Sequence, residues 1–147
     1  MSSTTAARNV TAPAPLVVSL ESCPQAAATA RDVTASHLRS LRPPVDPDSR
    51  DAVVLIVSEL VTNAVRHAEG RVCTLRLAAD ARSVTVSVAD SSPRVPHERD
   101  PDVRGEGGGF GWPMVRRLAT STSVRPTPRG KTVEAVVARA PEASGRA

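Results

Sequence analysis

Apolar positions along this chain fall into short, well-bounded patterns. Leu16 to Leu20 is an apolar run with two valines, which predicts a first strand. Pro24 offers a first-turn residue to a helix. From Gln25 to Leu41, a rough helical stripe runs through Ala30, Val33, Ala35, His37, Leu38 and Leu41, and Pro43-Pro44 bounds it. The second helix has the clearest period. Asp46 and Asp48 are N-cap candidates, and Asp51 suits the positive helix start. Val53, Val54, Ile56, Val57, Leu60, Val61, Ala64 and Val65 recur at three and four residues, so one broad face is buried, and Gly70 is the stop.

The period then changes to two. Val72–Ala78 and Val84–Ala89 alternate apolar and polar residues, joined by a hairpin connection at Asp80-Ala81-Arg82. From Ser91 to Gly109 periodicity stops, through three prolines and then Gly105, Gly107, Gly108 and Gly109. So long a patternless stretch inside a compact domain is a mark of a functional lid. A short helix is predicted over Trp112–Ala119. Val124 and Thr132–Ala138 close the chain as a hairpin around Thr127-Pro128-Arg129-Gly130. The order β-α-α-β-β-loop-α-β-β gives an α+β fold: a mixed or antiparallel sheet covered on one face by about three helices. Residues 1–14 and 141–147, rich in small residues and proline, read as flexible tails on a single domain over 15–140.

Composition excludes several function classes. With 147 residues, 40% hydrophobic and 23% charged, the chain can bury one core and is not disordered as a whole. No apolar run approaches the roughly 18 residues of a membrane helix, and the start lacks a signal-peptide pattern. Cys23 and Cys73 form neither a disulfide framework nor a zinc set, and they read as free thiols in a reducing cytoplasm. His37, His67 and His97 lie far apart and lack ligand spacing. The net charge of +4 invites a polyanion partner. The aromatics, however, are confined to Phe110-Gly111-Trp112, so no stacking platform for nucleic acid can be spread over a sheet. Lys131 is the single lysine among 19 basic residues, and the arginine excess reads as the codon bias of a GC-rich genome.

Four places can carry chemistry, each with a plain structural alternative. Glu59 and Asn63 stand one turn apart on the second helix, where a carboxylate and a carboxamide can order a hydroxyl and hold a hard cation. Such a pair is otherwise a solvated helix face. Asp90 ends a strand and can accept a hydrogen bond from a ligand, although Asp-Ser-Ser-Pro also favours a turn. Gly105 to Gly111 leads into a helix whose free N–H groups suit phosphates, yet it matches neither a Walker loop nor a dinucleotide fingerprint. Gly130-Lys131-Thr132 opens the last strand, where Thr132 can add a hydroxyl.

Taken in order, Ser58-Glu-Leu-Val-Thr-Asn-Ala-Val-Arg-His-Ala68, Val88-Ala-Asp90, the glycine lid and Gly130-Lys-Thr132 resemble the GHKL ATPase superfamily. The similarity is to its small bacterial branch, the anti-sigma-factor serine kinases, over residues 16–138. The resemblance implies a two-layer Bergerat ATP-binding sandwich, with ATP and Mg²⁺ as cofactors. It implies Glu59 as general base or water-orienting carboxylate, Asn63 as Mg²⁺ ligand, and Asp90 as acceptor from the adenine amino group. Gly107, Gly109 and Gly111 would let the lid approach the phosphates, and Thr132 would support the Asp90–adenine contact. Arg104 is a phosphate candidate from the lid without a firm motif match. One departure stands out. The family pattern Asp-x-Gly-x-Gly is here Asp90-Ser91-Ser92-Pro93-Arg94, so both glycines of the adenine box are gone.

The function implied is a cytoplasmic serine/threonine protein kinase. It would phosphorylate a small STAS-type antagonist, hold a sigma factor, or both, and relatives of this kind form homodimers. The alternative is a catalytically weak or inactive ATP-binding, protein-binding regulatory module, which the altered adenine box favours. The ATPase half of a histidine kinase fits poorly, because no long helical hairpin carries a phosphoacceptor histidine. Direct nucleic-acid or membrane binding is not expected.

Overall fold

The computed structural model describes residues 13–68, 71–92 and 111–140. The elements run β1 (Leu16–Glu21), α1 (Ala26–Ser40), α2 (Pro47–Ala68), β2 (Val72–Ala79), β3 (Ser83–Asp90), α3 (Gly111–Leu118), β4 (Ser121–Thr127) and β5 (Gly130–Ala138). Every element expected from the pattern is present, with ends shifted by a residue or two except in β4, which extends three residues to either side of the expected Val124.

Local chemistry sets those ends. The Asp48 N–H donates to Asp46 Oδ2 at 3.0 Å and the Arg50 N–H to the Asp46 carbonyl at 2.8 Å, so Asp46 is the cap of α2 and Pro47 its first residue. In the β2–β3 turn, Asp80 Oδ1 accepts from the Arg82 and Ser83 N–H groups at 2.7 and 2.8 Å. Those donors hold the Asp80 carboxyl below its ordinary range. In the β4–β5 turn, the Gly130 N–H donates to Thr127 Oγ1 at 3.0 Å.

The five strands form one sheet in the order β1-β2-β3-β5-β4. All four pairings are antiparallel, the second of the two sheet types that the pattern allowed. The β3–β5 register sets Val84 opposite Val137, Val86 opposite Ala135, Val88 opposite Val133 and Asp90 opposite Lys131. The valines of that series, with Leu75 and Leu77 of β2, build the sheet side of the core. Val53, Ile56, Val57, Leu60, Val61 and Ala64 of α2 build the other side, joined by Ala30 and Leu38 of α1 and Val115 of α3. The opposite sheet face is polar, and there Ser87 Oγ donates to Glu134 Oε2 at 3.1 Å. The result is a two-layer α/β sandwich with both chemistry-bearing strand ends, Asp90 and Lys131, at one edge of the core.

Candidate functional site

The site is built from four elements: α2, the start of α3, and the paired ends of β3 and β5. Glu59 and Asn63 lie on one flank of the buried α2 stripe, beside Ile56 and Leu60, and both are half-buried. Their spacing puts the carboxylate and the carboxamide on the same side, one turn apart. Gly111, the first residue of α3, is buried and lies directly against Glu59. A Cβ at Gly111 would stand 2.1 Å from Glu59 Oε1 and 3.0 Å from its Cδ. Only glycine admits the carboxylate at that distance from the helix backbone. The positive end of the α3 dipole therefore faces the Glu59 carboxylate.

At the other end, Asp90 and Lys131 form a buried ion pair. They continue the inward-facing series Val84, Val86, Val88 and Val137, Ala135, Val133, so their side chains face into the molecule. Lys131 Nζ donates to Asp90 Oδ1 and Oδ2, both at 3.0 Å, and to the Ser92 carbonyl at 3.1 Å. The two side chains are 5% and 3% exposed. The Ser92 N–H donates back to Asp90 Oδ1 at 2.8 Å, closing an Asx turn through Ser91. Gly130 makes the approach of β5 possible: a Cβ there would lie 2.1 Å from the Asp90 carbonyl oxygen and 2.6 Å from the Ser91 backbone. Cys73 lies on the same inner face. Burial, reinforced by the negative charge of Asp90, pushes its thiol up to about 11.

Several expected site residues are thus brought together and others are not. Glu59 and Gly111 meet, and Asn63 follows one turn along. Thr132 does not share the face of Asp90: it stands opposite Ala89, on the polar side of the sheet. Strand alternation is the reason, because the β5 residue that faces Asp90 is its register partner Lys131. Arg104, Gly107 and Gly109 lie outside the described residues, as do the expected lid from Pro93 onward and Phe110. Among the described residues no group of three or more His, Cys, Asp or Glu side chains can hold a metal. A divalent cation there would depend on Asn63 together with oxygens of its ligand, a donor set that suits Mg²⁺. Lys131 and Ser92 are the residues that sequence reasoning missed. A signal for Lys131 was present: the chain's one lysine occupies an inward position in the series with Val133, Ala135 and Val137.

Comparison with known proteins places this geometry. A family profile described as the histidine kinase-like ATPase domain matches residues 20–137. No curated protein sequence matches the chain. Among solved structures, the chain is similar to the RsbU and RsbW domains of Rv1364c from Mycobacterium tuberculosis, with a TM-score of 0.65 and 22% identity. That match covers 85% of this chain and 32% of the other, so this chain spans about a third of the length of the chain it matches. The likeness is one of fold.

Proposed function

The chain belongs to the histidine kinase-like ATPase domain family, an ATP-binding family, and from that premise we propose that it transfers the terminal phosphoryl group of ATP to a serine of a small regulatory protein. The resemblance of the Glu59–Asn63 helix to anti-sigma-factor kinases supports the partner class: a STAS-type antagonist, with a sigma factor as the protein alternately held; the RsbW-containing structure shares the fold. The observation that carries the reading is the contact between Glu59 and Gly111, which sets a carboxylate base at the N-terminal end of a helix.

The chain's own groups have separate tasks. The first N–H groups of α3 bind phosphate oxygens. Glu59 orients the serine hydroxyl and takes its proton as the oxygen–phosphorus bond forms and the bond to the ADP leaving oxygen breaks. Asn63 would hold Mg²⁺, whose chemistry there is to neutralise charge on the phosphates. The altered adenine box and the internal pairing of Asp90 favour a second reading, a regulatory module that binds protein and uses ATP weakly or not at all for transfer.

Phosphotransfer from labelled Mg-ATP to a cognate antagonist separates the two. Glu59→Gln is expected to slow transfer by about 10²–10⁴-fold while ATP still binds, and Asn63→Ala to weaken Mg-ATP binding in calorimetry. Transfer by Glu59→Gln at the wild-type rate removes the kinase mechanism. An absence of transfer by wild type that still binds ATP selects the regulatory module.

A further inference from the structure

Asp90 stands at the position that the ATP-binding reading gives to recognition of the base, yet its carboxylate is already occupied. Lys131 Nζ has three N–H directions, and three acceptors meet them: Asp90 Oδ1, Asp90 Oδ2 and the Ser92 carbonyl. Asp90 Oδ1 also accepts the Ser92 N–H. The pair is almost wholly buried, with side-chain exposures of 5% and 3%. We propose that Lys131 takes the place of a nucleobase amino group at Asp90, so that the site holds a nucleoside triphosphate by its phosphates and does not discriminate by base.

An exchange argument supports this. For adenine to reach Asp90, its neutral amino group must displace an ammonium from a carboxylate. Charge-assisted hydrogen bonds are about twice as strong as neutral ones. The displaced ammonium would also lose both carboxylate acceptors and stay in a poorly solvated place, since removing one partner of a buried pair strands the other. The base therefore loses the competition. The backbone locks this arrangement: the Asx turn aims the Ser92 carbonyl at Lys131, and Gly130 seats β5 against Asp90 and Ser91. Ser92, which stands where the pattern has its first glycine, thus belongs to a closed network that ends in Lys131.

The inference rests on nucleotide binding at this site, and the test keeps the two apart. Calorimetry with Mg²⁺ compares ATP, GTP, purine-riboside triphosphate (ATP without the amino group) and inorganic tripolyphosphate. Wild type is expected to bind the three nucleotides within about threefold of one another. Lys131→Met, which frees the carboxylate, is expected to favour ATP over purine-riboside triphosphate by about tenfold or more. A tenfold ATP preference in wild type overturns the inference and leaves nucleotide binding intact, as does a folded Lys131→Met protein without a gained preference. If Lys131→Met does not fold, the wild-type comparison decides alone. Failure of wild type to bind any of the four ligands overturns the nucleotide reading and the inference together.

Discussion

A single methylene decides much at the residue scale. Glu59 and Gly111 meet because position 111 has no side chain, and β5 closes on Asp90 because position 130 has none. Cys73 shows how burial sets reactivity. The residue is 1% exposed and burial pushes its thiol up to about 11, which keeps the proton on the sulfur at neutral pH. Cys23, two residues past β1, is half-buried. An alkylating reagent at neutral pH is expected to modify Cys23 first and Cys73 only on unfolding, as mass spectrometry would show. The same shift has a consequence for stability. Above pH 9.0 the unfolded thiol ionises while the folded one keeps its proton up to about 11. The stabilisation from the neutral buried thiol is complete below pH 9.0 and is lost as pH rises through that window. Wild type should lose stability relative to Cys73→Val over that range in denaturant titrations.

At the scale of elements, the two periods read from the chain correspond to two kinds of burial. In α2 the difference between neighbours is large: Ile56 is 0% exposed and Leu55 47%. Ile56→Ala is expected to cost about 2–5 kcal/mol in chemical denaturation. Leu55→Ala should stay within about 0.5 kcal/mol of wild type. Equal effects at the two positions would mean that α2 is turned differently on the sheet. These helices and strands were legible because their signals are local. Asp46 caps α2 within one turn, and Asp80 closes its hairpin three residues on. The ends were less legible. β5 starts two residues before the expected Thr132, since strand length is fixed by pairing with β3 rather than by composition.

For the whole molecule, the sheet order brings together segments far apart in sequence. Arg139, just past β5, is 7% exposed and donates to the carbonyls of Asp80 and Pro43. Its own carbonyl accepts from the Asp46 N–H at 3.2 Å, and its N–H donates to the Arg82 carbonyl at 2.8 Å. One residue thus ties the β2–β3 turn and the α1–α2 connection to the last strand. Arg139→Leu removes the two side-chain bonds and keeps the bulk. It is expected to lower stability by about 1–3 kcal/mol without changing the denaturant slope, measured by urea unfolding. No helix among the described residues is long and apolar enough to cross a membrane.

By itself the sequence determined the elements, their order, the apolar faces, and the pairing of Glu59 with Asn63 on one flank. Each depends on periodicity or on contacts within a few residues. Only the tertiary structure decided which β5 residue faces Asp90. That choice depends on a register between residues 41 apart, and the side-chain direction in a strand reverses with a shift of one position. Thr132 and Lys131 are neighbours in sequence and lie on opposite faces of the sheet. The physical difference between a carboxylate open to a base and one closed by an ammonium lies in that single step of register.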